Sequence, residues 1–270
     1  MGLVRREIWT LTGDKASVRT DALAVEEPLE IRVNSQAITT TMRTPGHDLE
    51  LTLGWLLSEG IISNLEDLIG LEPDADEENV VQVRLRGGLD PNLEPRQFSS
   101  GSACGVCGKT SLAQIHARGM KPIANSAQVT ARVLYGLPNA LRKVQTTFES
   151  TGGLHAAALF TLEGELLAMR EDVGRHNAVD KLTGWSHLEN LPLENSIMLV
   201  SGRVGFEIAQ KCVAARVPIL AAVGAPSSLA VELALEFNLS LIGFLREERA
   251  NVYSGFERIF NIPARESNQL

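Results

Sequence analysis

The sequence predicts an α/β fold, α+β when the whole chain is counted, and three observations predict it. Short apolar runs recur through the carboxyl-terminal half, a helical stretch follows each, and Gly, Pro or Ser marks the junctions. Ile197 to Val200, Ile219 to Val223 and Ser240 to Phe244 read as strands, and Phe206 to Arg216 and Ser227 to Phe237 read as the helices between them. That alternation implies crossover units and a parallel stretch of sheet. Upstream, Ala156 to Phe160 and Leu166 to Met169 flank a Glu163-Gly164 turn and read as a hairpin, which makes the sheet mixed.

The amino-terminal half is built differently. LEIRV (29–33) and VQVRL (81–85) alternate apolar and polar residues, the pattern of half-buried strands. Asp48 to Gly60 reads as a helix, with Asp48 as its cap, apolar residues at three- and four-residue spacing, and Gly60 as its stop. The acidic run Glu72 to Glu78, with Pro73 inside it, reads as a solvated loop. Pro91 and Pro95 then break the chain before a Gly-rich segment. The expected organisation is a smaller α+β part over residues 1–125 and an α/β domain over residues 126–270.

Composition narrows the function. The chain has 270 residues, 44% hydrophobic and 21% charged, which suits an ordinary globular protein. A net charge of −8 argues against a nucleic-acid binder, which carries a basic footprint. The first residues, MGLVRREIWTLTGD, lack the apolar core of a signal peptide, and no apolar stretch reaches the ~18 residues of a membrane span. Three cysteines make no disulfide framework, so a reducing, cytoplasmic location is expected, with neither nucleic acid nor membrane as partner.

SSGSACGVCGKTSL carries the chemistry. Cys104 and Cys107 lie two residues apart among Gly101, Gly105 and Gly108, with Lys109 following. Such a pair can bind a metal, cycle a disulfide or carry sulfur as a persulfide. A structural zinc site wants four ligands, and here there is a single knuckle; the five histidines show no ligand spacing, so no metal site is expected. A zinc deaminase needs His-x-Glu upstream of its cysteines, whereas His155-Ala156-Ala157 lies downstream and lacks the Glu. Sulfur transfer or redox chemistry remains. Lys109 to His116 reads as helical, so its dipole and Lys109 favour the thiolate. The preceding EPRQFSSGSA is polar and loop-like, which favours a flexible carrier over a fixed redox site. Cys212, beside Ala209 and Val213 on a helix, reads as a small buried hydrophobe.

In open α/β sheets, ligands bind beyond the carboxyl ends of the strands. Ser201, Gly202 and Arg203 fall there, as do Gly224, Pro226, Ser227 and Ser228, then Arg246 and Arg249. Helix amino termini, small residues and arginine forks form a cradle for a phosphorylated ligand. The same residues are equally read as tight turns with surface arginines. In REDVGRHNAVDK, Arg175 and His176 either face a ligand or adjoin a buried Asp172–Arg175 or Asp180–Lys181 network. His155 is either a site residue or a packed histidine.

SSGSACGVCGK, TGGLHAA, REDVGRHNAVDKL, SGRVGFEIAQK, APSSLAVELA and LIGFLREERANVYSG occur in that order. Together, from about Glu26 to Arg258, they resemble the FdhD family of formate dehydrogenase accessory proteins, described as sulfurtransferases or sulfur carriers. The resemblance implies a carboxyl-terminal domain similar in fold to cytidine deaminases, without the metal, and a homodimer. It implies a cysteine desulfurase as sulfur donor and Cys104 as the persulfide-bearing residue, with Cys107 relaying or resolving. The sulfur would pass to bis(molybdopterin guanine dinucleotide), for which a guanine nucleotide such as GDP is a partial mimic, before that cofactor enters formate dehydrogenase. Phe244, Leu245, Arg246, Glu247, Glu248 and Arg249 match the stretch assigned to cofactor binding, although acidic Glu247 and Glu248 are awkward beside a pyrophosphate. The rivals are a cofactor chaperone without sulfur chemistry and a zinc- or redox-dependent protein using the same pair.

Overall fold

Alternating residues in the first 87 positions build two sheets, and buried apolar runs after residue 155 build a third. A computed structural model describes residues 2–87, 119–124 and 127–261. Among them are fourteen strands and six α-helices, so the α/β expectation holds. The chain divides into two units that interleave in sequence. The first draws its described residues from Met1–Gly119, Lys143–Ala157 and Met169–Pro192; the second from Met120–Arg142, Ala158–Ala168 and Leu193–Leu270.

Unit one opens with β1 (Leu3–Thr12) and β2 (Lys15–Ala24), an antiparallel hairpin closed by Gly13 at φ 56°. Next come β3 (Glu27–Val33) and β4 (Gln36–Arg43), then β5 (Leu68–Pro73) and β6 (Val80–Leu85). They form a sheet of order β4-β3-β6-β5, with β3 and β6 parallel and the outer pairs antiparallel. Asn34 and Ser35 both take positive φ, as the tight β3–β4 turn requires. Leu29, Ile31 and Val33 alternate inward from β3 and meet Val81 and Val83. Helix α1 (Asp48–Ser58) adds Leu51, Leu53 and Leu56 to the same core.

Two sequence expectations change here. The cap of α1 is His47, not Asp48, and no side chain bonds its free amides. The Asp48 carboxylate is held instead by Arg43, whose Nε and Nη2 each donate over 2.9 Å. The acidic run is not wholly loop, because Glu72 and Pro73 end β5. Beyond them Asp74 accepts the amides of Asp76 and Glu77 at 3.0 Å, closing a turn. Gly60, at φ 70°, does follow the helix end as expected.

Unit one is completed by α3 (Thr146–Thr151) and α4 (Arg175–Leu188). Helices α1 and α4 cross with their backbones in contact. A methyl on Gly54 would overlap the Asp180 carbonyl, and one on Gly184 would overlap that of Glu50. Glycine is required at both positions by close approach.

Unit two is built on a six-stranded sheet of order β13-β12-β11-β10-β8-β9. Its strands are β8 (His155–Thr161), β9 (Leu166–Asp172), β10 (Ser196–Val200), β11 (Ile219–Ala222), β12 (Ser240–Gly243) and β13 (Asn251–Ser254), the far ends of β8 and β9 belonging to unit one. Strands β10, β11 and β12 are parallel, and β13 returns antiparallel. Every residue of these three parallel strands is buried, which is why they read as unbroken apolar runs. Helices α5 (Phe206–Ala214) and α6 (Ser228–Glu236) connect them. The unit also holds α2 (Ala131–Arg142) and a short parallel pair, β7 (Val129–Thr130) with β14 (Ile259–Phe260). Among the described residues no helix is long and apolar enough to cross a membrane.

Candidate functional site

Because β10, β11 and β12 run parallel and in register, their carboxyl ends share one edge of the unit-two sheet. The loops there are laced backbone to backbone. Gly224 donates to Gly202 at 3.1 Å, Val204 to Ala225 at 3.1 Å and Ser227 to Val204 at 2.9 Å. Phe244 donates to Gly224 at 3.0 Å and Leu245 to Ala222 at 3.0 Å. A Cβ on Gly224 would come within 2.7 Å of the Gly202 oxygen, and one on Gly243 within 2.8 Å of Pro226. The small residues at these two positions thus answer first to loop packing.

What the edge presents is side chains. Arg203, Arg246, Glu247, Glu248 and Arg249 are exposed, as are Ser227 and Ser228, while Ser201 and Gly202 are half-buried. Arg246 donates from Nη1 to the carbonyls of Val223 (3.0 Å) and Leu245 (3.1 Å), which ties one edge of its guanidinium to the loops. Ser227 caps α6, accepting the Ala230 amide at 3.3 Å. Helix α5, one of the helix amino termini expected at this edge, begins at Gly205, which has no side chain to cap it and open space where a Cβ would stand. Leu245 is fully buried, so its side chain belongs to the core. Phe244 is half in solvent and held at φ 52°, a region bulky residues seldom enter. A helix amino terminus beside exposed guanidinium groups favours an anion, and an exposed aromatic ring can receive a planar group.

His155, Arg175 and His176 belong to unit one. His155 opens β8 and is half-buried; Arg175 and His176 form the first turn of α4 and are half-buried too. The stretch leading into that turn is structural, residue by residue. Arg170 grips Glu50 through two bonds, Nε–Oε2 at 2.6 Å and Nη2–Oε1 at 2.8 Å, with its guanidinium 5.9 Å over Trp185. Burial pushes the Glu50 carboxyl up, but hydrogen bonds and charge from Arg170 and His47 override it and hold the group at about 2. Glu171 accepts the Thr147 and Phe148 amides at the start of α3.

Asp172 is fully buried and meets Lys181 at 2.7 Å, itself 1% exposed. One Asp172 oxygen accepts from Gly174 (2.7 Å) and Asn177 (2.9 Å), and the other also accepts the Thr44 amide (3.2 Å). Lys181 donates in addition to the Thr44 carbonyl at 2.9 Å. The buried network that the sequence offered as one alternative thus pairs Asp172 with Lys181 and not with Arg175, while Asp180 accepts from Ser58 at 3.2 Å. The helix explains it. Asn177 and Lys181, four apart, share the face of α4 turned toward Thr44 and Asp172, and Arg175 lies off that face.

Cys104, Cys107 and the helix expected at Lys109 to His116 lie outside the described residues. Among the described residues no group of His, Cys, Asp and Glu is gathered as metal ligands. Cys212 is buried, with its Sγ 3.6 Å from the Met198 sulfur, as a small core residue.

A model of the FdhD/NarQ family matches residues 24–260. The chain is 50% identical to the sulfur carrier protein FdhD of Mycolicibacterium paratuberculosis, over 94% of this chain and 98% of that protein. It is 49% identical to the protein of that name from Nocardia farcinica, over 96% of each. Among solved structures, a protein from Desulfotalea psychrophila described as a formate dehydrogenase accessory protein superposes with a TM-score of 0.79, at 22% identity, over 96% of this chain and 99% of that one.

Proposed function

Since the chain belongs to the FdhD/NarQ family, we propose that it is a sulfur carrier acting in the maturation of a formate dehydrogenase. The observation that carries this is the near full-length identity of about half to proteins named sulfur carriers, joined to the Cys104-Gly105-Val106-Cys107 motif. In this reading the Cys104 thiolate attacks the outer sulfur of a cysteine desulfurase persulfide. The sulfur–sulfur bond breaks, the desulfurase cysteine leaves as thiolate, and Cys104 keeps the sulfur. Release follows when Cys107, or an external thiol, attacks the Cys104 Sγ and hydrosulfide departs; a thiol reductant then restores the pair.

The acceptor in this reading is the molybdenum cofactor bis(molybdopterin guanine dinucleotide), bound as cargo. Arg203, Arg246 and Arg249 suit its phosphates, the dipole at the amino terminus of α5 favours negative charge, and Phe244 offers a face to a ring. Arg175, His176 and His155 are further candidates. The working form is a homodimer in the cytoplasm. The test is mass spectrometry after incubation with a desulfurase and cysteine. We expect one or more added sulfur atoms mapped to Cys104 or Cys107, and loss of dehydrogenase maturation in Cys104→Ala. Full maturation by that variant would leave a cofactor chaperone as the function.

A further inference from the structure

The β1–β2 hairpin pairs with no other strand among the described residues. It also lies almost wholly ahead of the family match, which begins at residue 24. A lone two-stranded sheet is marginal in water, and a third strand is the usual remedy. Ten consecutive pairs without a bulge leave β1 with a long, regular outer edge. Neither Pro nor Lys blunts it. Helix α3 packs against β2, so among the described residues the open side is that of β1. On one face, Trp9 is 72% exposed, Leu11 77% and Val18 51%.

We propose that β1 pairs antiparallel with β1 of a second copy, about a twofold axis at Arg6, to make a four-stranded sheet. A twofold axis perpendicular to the sheet keeps each face on its own side, so odd residues must meet odd ones. Centring on Arg5 or on Glu7 would oppose like charges with no neutralising neighbour, since their hairpin partners are Ala22 and Thr20. Centring on Arg6 sets Arg5 against the partner's Glu7, Leu3 against the partner's Trp9, and Val4 against the partner's Ile8, each twice. Hairpin pairing extends these rows to Ala24-Leu3 facing the partner's Trp9 and the partner's Val18, apolar across all four strands. The two Arg6 residues meet, but each stands beside its own Asp21. Bond direction agrees. The two-residue turn makes Thr12–Lys15 the closing pair, so even residues turn their amides toward β2 and odd ones present theirs on the free edge. Arg5 and the partner's Glu7 then exchange backbone bonds, and the Arg6 pair is a non-bonded one.

This gives a surface to the homodimer proposed above and rests on that reading only for its occupant. A failed sulfur-loading assay would leave it standing. The test uses the full chain with Cys104 and Cys107 changed to Ser. Sedimentation should give a dimer. Arg6→Cys should form a covalent dimer on mild oxidation, because a non-bonded antiparallel pair sets Cα atoms about 4.5 Å apart, within disulfide reach. Arg5→Glu should raise the dimer dissociation constant about tenfold, and the swap Arg5→Glu with Glu7→Arg should restore it, with circular dichroism unchanged throughout. A monomer at every concentration overturns the proposal. So does a dimer that neither cross-links at residue 6 nor responds to the charge reversal, since it would use another surface. So does a monomer whose Trp9 face instead binds a formate dehydrogenase.

Discussion

In unit one the charged side chains are turned on one another: Asp172 meets Lys181, Arg170 meets Glu50, and Arg43 meets Asp48. In unit two the parallel strands are buried with scarcely a polar group, and Arg203, Arg246 and Arg249 stand in solvent at the strand ends. The first arrangement fixes a unique geometry at the cost of desolvating charges. The second obtains its cohesion from apolar area, at ~25 cal/mol per Å² buried, and leaves its cations exposed to a ligand. Substitutions at these buried pairs and at these arginines should therefore separate cleanly, stability lost at the first and binding at the second.

The largest effect is expected at Lys181. Lys181→Met leaves the Asp172 carboxylate buried without its counter-charge, and breaking such a pair costs about 3–5 kcal/mol. Denaturant melts should show that loss, and the double change Asp172→Asn with Lys181→Met should recover part of it. A single variant as stable as the parent would mean the pair is reached by water. Next is Gly184→Ala, whose methyl would press on the Glu50 carbonyl where α4 crosses α1. Overpacking of this kind costs about 1–3 kcal/mol, readable as a lowered Tm.

The contrast between the units also decides what the sequence could reveal. The strands of unit two were legible because burial on both faces makes Ile197 to Val200 and Ile219 to Ala222 apolar throughout. Cys212 was legible from its helical neighbours. The Asp172–Lys181 pair was not, because Thr44, 128 residues from Asp172, completes it. The β1–β2 hairpin left a signal that went unused: Gly13-Asp14 is a two-residue turn between alternating runs. Asp48 misled because its side chain prefers a buried guanidinium to the free amides of its own helix.

At the unit-two edge the expectation reverses. Arg203→Ala and Arg249→Ala remove exposed side chains and should change stability by no more than about 0.5 kcal/mol. Each should weaken binding of GDP, the partial mimic, by about tenfold in calorimetry, with a steeper loss on adding salt in the parent than in the variants. A large stability loss with intact GDP binding would erase the distinction between the two units.

The smallest effect concerns acid. The Glu50 carboxyl lies at about 2 in the folded protein against an ordinary 4.5, so folding favours its ionised form. A group lowered in this way contributes stability above pH 4.5 and gives it up as pH falls from there through about 2. Asp74 and Glu77 are lowered as well, Asp74 first by the Gln82 amide and Glu77 first by Arg32, so the parent's acid limb has several sources. The informative quantity is the difference between parent and Glu50→Gln. It should be largest above pH 4.5 and shrink steadily below it, because a protonated Glu50 and the glutamine that replaces it both offer Arg170 a neutral acceptor. A difference that stays constant down the acid limb would place the value of Glu50 in its packing against Arg170, and not in its charge.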